Sequence, residues 1–413
     1  MKRTCMLILI LTLSSLACAQ TARMAASQPP NTPQPAQSTS IPAPVPAEYR
    51  DMYNQLKAAL EAVQSDYPAQ NGPAPIFAAE LSYANGNIGE GLLNPQVMTL
   101  VRTQLDSLYQ MGVRGVVVAI KFPMVEPNFP HSADYLQFFK QVTAEVRQRN
   151  MKLLIESGAL FSGTVFSPLQ VDWSQYPTAA AFRDAEIHQL QTIAREIRPD
   201  YLQIANEPTT TAMLTKFVDT PNDYAAFVHK AVQSIPPQSD MLLGAGAGTW
   251  ENQSYVTSLN SIAGLNFIDL HVYPLGRDGN MLRLAADLAE KARSAGKRVV
   301  ISEAWLYKTE TSTAYQANDF TSAIGQDVFS FWEPLDEKFI EDMTAVSRAS
   351  GIEFQSFFWV REFYAYLDYD QYHDTPLDQI NPVINRVSVA NSRDNILSPL
   401  GQFYQNWISQ QIK

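Results

Sequence analysis

The sequence predicts an α/β fold, a closed (β/α)8 TIM barrel, and three observations carry the prediction. Eight short β-rich runs alternate with longer amphipathic stretches, the pattern of parallel β-α units. Roughly 360 residues follow the first fifty, a length that suits one large barrel. The composition is that of a globular protein with a sizeable core: 413 residues, 46% hydrophobic and 17% charged.

The first element is a targeting segment. Lys2 and Arg3 precede an apolar run from Met6 to Leu13, which is too short for a stable membrane anchor. Two processing routes fit. Ala17-Cys18-Ala19 is an A-x-A site, giving a signal peptide of residues 1–19 and a chain that begins at Gln20. Ser15-Leu-Ala-Cys18 instead resembles a lipobox, with Ser15 where leucine is usual, and would leave a lipidated Cys18. Residues 20–48 are rich in Pro, Gln, Ser and Thr; they cannot bury enough apolar surface to offset ordering and are expected to form a disordered linker. The folded domain is expected over 49–413. Either route makes the protein exported: extracellular, periplasmic or lipid-anchored at the bacterial envelope, with membrane contact only through Cys18. Cys5 and Cys18 are the two cysteines, so the barrel has neither a disulfide nor a thiol nucleophile.

Strands are predicted at Phe77–Tyr83, Gly115–Ile120, Lys152–Glu156, Tyr201–Ala205, Met241–Ala245, Phe267–Tyr273, Val299–Glu303 and Phe354–Val360. Helical patterns lie between them at Val97–Met111, Ala133–Arg149, Ala179–Ile197, Pro221–Ser234, Asn280–Ala295 and Asp336–Ser350, with Ser398–Gln410 at the end. In such a barrel the site lies at the C-terminal strand ends, so each strand is informative in its last residues.

Strand four ends in Asn206-Glu207-Pro208 and strand seven in Ser302-Glu303-Ala-Trp305. Two carboxylates delivered in this way are what glycosidic cleavage requires: one to protonate the leaving oxygen, one to attack the sugar carbon. Strand six reads Asp269-Leu-His271-Val-Tyr273, and alternation puts the three polar residues on one face, toward the barrel axis. Strand eight ends in Trp359-Val-Arg361-Glu362. Trp359 offers a flat apolar platform for a sugar ring, although packing is the commoner fate of an indole. Trp305 and Arg361 complete the expected substrate-binding set. Glu80, Glu156 and Glu362 are competing carboxylates whose plainer reading is a salt-bridged or subsite residue.

The net charge of −11 leaves no basic patch for nucleic acid. No His-x-x-x-His, Asp-rich loop, Gly-x-Ser-x-Gly elbow or phosphate-binding glycine loop is present, so neither a catalytic metal nor a cofactor is expected. Gly244-Ala-Gly246-Ala-Gly248 lacks the dinucleotide pattern and is read as a close-packing stretch.

With Asn206-Glu207-Pro208, His271-Val-Tyr273, Ser302-Glu303 and Trp359 in this order, the domain resembles clan A of the retaining glycoside hydrolases. The resemblance implies a (β/α)8 barrel with Glu207 as acid/base and Glu303 as nucleophile. It also implies Asn206 as ligand of the sugar 2-hydroxyl and Tyr273 as hydrogen-bonding neighbour of Glu303. Lys121-Phe-Pro after strand two and Glu156-Ser-Gly after strand three depart from the arginine and histidine that many members carry there. The expected activity is retaining hydrolysis of a β-linked polysaccharide or oligosaccharide by a monomer whose partner is carbohydrate. The alternative is a surface glycan-binding lipoprotein on a barrel that has lost catalysis.

Overall fold

Eight strands pair in parallel in chain order, and the last closes on the first. They are β1 (Ile76–Glu80), β2 (Gly115–Ala119), β3 (Lys152–Glu156), β4 (Tyr201–Gln203), β5 (Leu242–Gly248), β6 (Phe267–Val272), β7 (Arg298–Ala304) and β8 (Phe354–Phe357). The computed structural model describes residues 43–67, 72–164, 166–273, 280–308 and 325–412. The export segment, Cys18 and the linker up to residue 42 lie outside the described residues.

The helices are α1 (Arg50–Asp66), α2 (Val97–Gln110), α3 (Ser132–Gln148), α4 (Ala179–Glu196), α5 (Pro208–Thr215), α6 (Pro221–Ser234), α7 (Ser254–Leu259), α8 (Asn280–Ser294), α9 (Glu333–Ser350), α10 (Tyr369–Tyr372), α11 (Leu377–Arg393) and α12 (Pro399–Gln411). Helix α1 precedes the barrel and packs on α9. There Tyr53 stacks on the fully buried Trp332 at 5.9 Å.

Strands covered by helices bury both faces and so read as continuous apolar runs, as Gly115-Val-Val-Val-Ala does. Alternation then sorts the faces. Outward residues such as Phe77, Val116, Leu153, Ile268 and Ile301 join the core shared with the helices. Inward residues Ala78, Val117, Leu154, Tyr201, Phe267, Val300 and Phe354 form a separate apolar plug in the barrel floor. Strand β5 contributes Gly244 there, because a Cβ would meet the Phe267 ring at 2.2 Å. Two residues further along, the inward positions turn polar: Glu80, Glu156, Gln203, Asp269, Ser302 and Ser356, all buried. The polar layer carries the site.

Several ends differ from expectation. β1 stops at Glu80, where Ser82–Ala84 winds into a 3-10 helix. β4 ends at Gln203 and β8 at Phe357, shorter than expected, although backbone bonds from Ile204 N to Gly244 O, from Gly246 N to Ala205 O and from Phe358 N to Ala304 O continue past them. β5 runs three residues longer than expected, to Gly248. Helix α11 is absent from the sequence expectation. Its buried side includes Asn381, Asn385, Ser388, Asn391 and Ser392 beside Ile380 and Ile384, and Pro382 lies inside it, so the run reads as interrupted and half polar.

One irregularity positions the chemistry. Leu270 pairs with Ile301 but His271 pairs with Glu303, so β7 carries one extra residue at Ser302. Such a bulge lets neighbouring side chains reach the same side. Ser302 and Glu303 accordingly both find partners inside the barrel.

Candidate active site

Glu207 stands where β4 gives way to α5. Its backbone is left-handed, with φ of 49°, and it occupies the N-cap of α5 with Pro208 at the first helical position. Its N–H donates to Asn206 Oδ1 at 2.8 Å. Glu251 ties the start of α5 to the end of β5, accepting from Thr209 N at 2.8 Å and Gly248 N at 2.9 Å. Asn206 Nδ2 in turn donates to Asp269 Oδ2 at 3.2 Å.

Glu303 enters from β7. The Tyr273 hydroxyl donates to its Oε2 at 2.6 Å, and the Tyr273 ring stacks on Tyr307 at 5.2 Å. His271 lies between the two carboxylates: Nδ1 is 2.6 Å from Glu207 Oε1 and 3.4 Å from Glu303 Oε2. Those two oxygens therefore lie within about 6 Å of each other, so both carboxylates can reach one glycosidic bond. On the other side of the ring, Nε2 is 3.0 Å from Ser302 Oγ and 3.5 Å from Glu156 Oε1. Glu207, Glu303, His271, Asn206, Glu156 and Lys121 line one cavity at the barrel mouth.

The electrostatics follow from burial and crowding. Burial, then the Glu156 charge, pushes the Glu303 carboxyl well up, while His271 and Lys121 act in the opposite sense. Burial also opposes ionisation of Glu156, but the hydrogen bond and charge of His271, with Lys121, bring it down to about 2. For His271 burial favours the neutral ring, yet the surrounding carboxylates win and raise it well above its ordinary value. Glu80, bonded to Asn85 Nδ2 at 2.6 Å, is pushed up to about 8 by burial.

The structure thus brings together five residues predicted from sequence: Asn206, Glu207, His271, Tyr273 and Glu303. Three others lie apart from their cavity. Trp305 is fully buried, edge-on to Phe357 and 5.0 Å from Lys308 Nζ. Trp359 and Arg361 line a neighbouring cavity with Glu80, and the Arg361 guanidinium covers the indole at 4.3 Å. Arg361 is engaged by Glu362 Oε1 at 2.8 Å and Asn381 Oδ1 at 2.9 Å. Of the competing carboxylates, Glu156 lines the site, Glu80 faces the neighbouring cavity, and Glu362 pairs with Arg361.

Sequence reasoning gave no part to Gln203 or Glu251, and no role to Ser302 beyond its place in the Ser302-Glu303 motif. Gln203 was discoverable by alternation, two residues beyond the inward Tyr201. The bulge that admits Ser302 leaves no trace in composition. Among the described residues, Glu156, His271 and Glu303 have ligand atoms within 4.8 Å of one another. Both His271 nitrogens are hydrogen-bonded, Nδ1 with Glu207 and Nε2 with Ser302.

No protein-family model matches the sequence, and no curated protein does. Solved structures do resemble it. A GH5_18 protein from Bifidobacterium longum subsp. longum superposes with a TM-score of 0.53 at 13% identity, covering 82% of this chain and 79% of that one. A GH5_18 protein from Streptomyces cattleya, solved in complex with GlcNAc, gives 0.51 at 14% identity, covering 83% and 82%. At such identity the likeness is one of fold: the chain shares the closed eight-stranded barrel of these proteins, the architecture that the clan A resemblance implies.

Proposed function

We propose that the protein is a glycoside hydrolase that cleaves β-linked polysaccharide or oligosaccharide with retention of configuration. One observation carries the reading: Glu207 and Glu303 meet across His271 Nδ1 in a cavity at the C-terminal mouth of the barrel. Retention is the reading that the clan A resemblance implies, with Glu303 attacking directly.

In the first step Glu303 attacks the anomeric carbon while Glu207 protonates the leaving oxygen. In the second, Glu207 takes a proton from water, which releases the sugar from Glu303. The Tyr273 hydroxyl and the positive charges of His271 and Lys121 favour the ionised nucleophile against burial. Asn206, fixed by its bonds to Glu207 N and Asp269, presents its amide beside the acid, where a sugar 2-hydroxyl would lie.

The test is incubation of the purified domain with a panel of β-glucans, mannans, galactans and xylans, with product sizing and NMR of the first-formed anomer. Release of β-anomers from one of them is the expected result. Glycan binding with no cleavage would support the binding-protein alternative, and α-anomers would make the enzyme inverting. We further propose export, with Cys18 as the lipidation site where a lipobox is used. Incorporation of a fatty-acid analogue that disappears in Cys18→Ala tests this, and an unlipidated chain beginning at Gln20 would show simple secretion.

A further inference from the structure

Asp269 is fully buried one layer beneath the carboxylate pair, and four donors converge on it. Ser302 N–H donates to Oδ1 at 3.0 Å. Oδ2 accepts from Gln203 Nε2, from Asn206 Nδ2 at 3.2 Å and from Ser302 Oγ at 2.7 Å. Burial pushes the Asp269 carboxyl up, but the His271 charge and the Ser302 and Gln203 donors act against this. The amides and the backbone N–H can only donate, so Asp269 is occupied as an acceptor.

This settles a proton one step away. The Ser302 hydroxyl has a single hydrogen, and Asp269 takes it. The Ser302 oxygen then accepts, so His271 Nε2, 3.0 Å away, must carry hydrogen. A further proton lies on the 2.6 Å line between His271 Nδ1 and Glu207 Oε1. It belongs either to an acid facing a neutral imidazole or to an imidazolium facing a carboxylate.

We propose that Asp269 and Ser302 are positioning residues that fix hydrogen on His271 Nε2, making Nδ1 the store for the proton that Glu207 delivers to the leaving oxygen. The inference rests on the acid/base reading of Glu207. During glycosylation the one proton on the Nδ1–Oε1 line passes through the Glu207 carboxyl to the leaving oxygen, leaving a neutral ring and an ionised Glu207. During deglycosylation Glu207 takes one proton from the attacking water and passes it back to Nδ1. The count closes over one turnover.

The surroundings favour a stored proton. Glu156 faces the ring from β3 at 3.5 Å, Glu207 from the end of β4 at 2.6 Å and Glu303 from β7 at 3.4 Å. Asp269, on the same strand as the ring, is 4.0 Å from Nε2. Tyr273 spends its hydroxyl on Glu303, and Lys121 at the end of β2 opposes the carboxylates. Four acidic groups against one lysine stabilise an imidazolium.

The test uses Ser302→Ala with Ser302→Thr as the conservative control, each checked by thermal melting. His271 is the one buried histidine of five, so 15N imidazole NMR distinguishes it from the exposed ones. In the wild type, ring titration should lie well above the free-imidazole range, with a slowly exchanging Nε2–H. In Ser302→Ala the titration should move down by about one pH unit, and the alkaline limb of kcat/KM on the natural glycan should move with it. That corresponds to an about tenfold loss above the limb. Ser302→Thr should restore both. Glycosylation by an aryl glycoside with a good leaving group should change little in Ser302→Ala. Unchanged titration and limb in a folded Ser302→Ala protein would overturn the relay, as would failure of Ser302→Thr to restore them. If the wild type cleaves no glycan, the hydrolase reading fails, and the NMR titration alone still decides the relay.

Discussion

Glu207 and Glu303 have separable duties, so their alanine variants should fail differently. Glu303→Ala should lose turnover on every glycan, since no glycosyl-enzyme can form. Glu207→Ala should still accept a substrate with a good leaving group and stall at hydrolysis of the intermediate. Azide, which needs no base, should rescue it as the β-glycosyl azide, and full activity of either variant on the polysaccharide would end the assignment. Glu156 makes a subtler test. It contributes negative charge to both the raised Glu303 and the raised His271. Removing that charge in Glu156→Gln should lower both groups, shifting the acid and alkaline limbs of the kcat/KM profile down together. A profile in which neither limb moves would show that Glu156 does not reach the reacting groups. The two glutamates were legible in sequence because a strand end is a position as well as a residue type. Glu156 was legible as a competing carboxylate, but its partner His271 and the role of Ser302 were not, because what matters for them is which neighbour lies across the barrel.

At the scale of elements, a buried ion cluster ties Lys308, just after β7, to α9. Lys308 Nζ pairs with Asp336 Oδ1 on α9, both fully buried, and Lys308 N donates to Asp327 Oδ1 at 3.0 Å. Burial pushes Asp327 up to about 7 despite the lysine. Lys308→Met keeps the volume but strands two carboxylates, and should cost about 3–5 kcal/mol. Denaturant melts measure this directly; a loss under about 1 kcal/mol would mean that the carboxylates simply protonate. Strands were easy to find because burial on both faces makes them continuously apolar. Helix α11 hid because Pro382 interrupts its run and polar residues flank the buried Ile380 and Ile384, with Asn391 Nδ2 donating to Tyr364 O at 2.8 Å.

For the whole molecule, buried carboxyls in and around the barrel set a pH dependence. Burial raises Glu80 to about 8, and Glu251 and Asp327 to about 7. Their unfolded values lie near 4, so between those limits the folded chain binds more protons than the unfolded one. Stability contributed by these groups is therefore fully present below about pH 4 and is lost as pH rises through about 7–8. Raised His271 acts in the same direction, while Glu156, held near 2, contributes the opposite slope only at strongly acidic pH. The melting temperature should fall from about pH 5.5 to about pH 8.5, and a flat or rising profile would contradict this protonation pattern. Eight alternating units were enough to anticipate closure, since a sheet of that count with helices outside has a natural end in joining its edges.

The left-handed backbone at Glu207 means that fold and chemistry want different residues at one position. A β-carbon is uncomfortable there, by roughly 1 kcal/mol, and glycine is not. Replacing Glu207 with glycine should give an inactive protein that melts higher than its Glu207→Ala counterpart, and calorimetry on the pair measures the difference. The more robust trap for capturing an intact glycan is then the glycine variant, and selection for thermal endurance alone would tend to erode the acid.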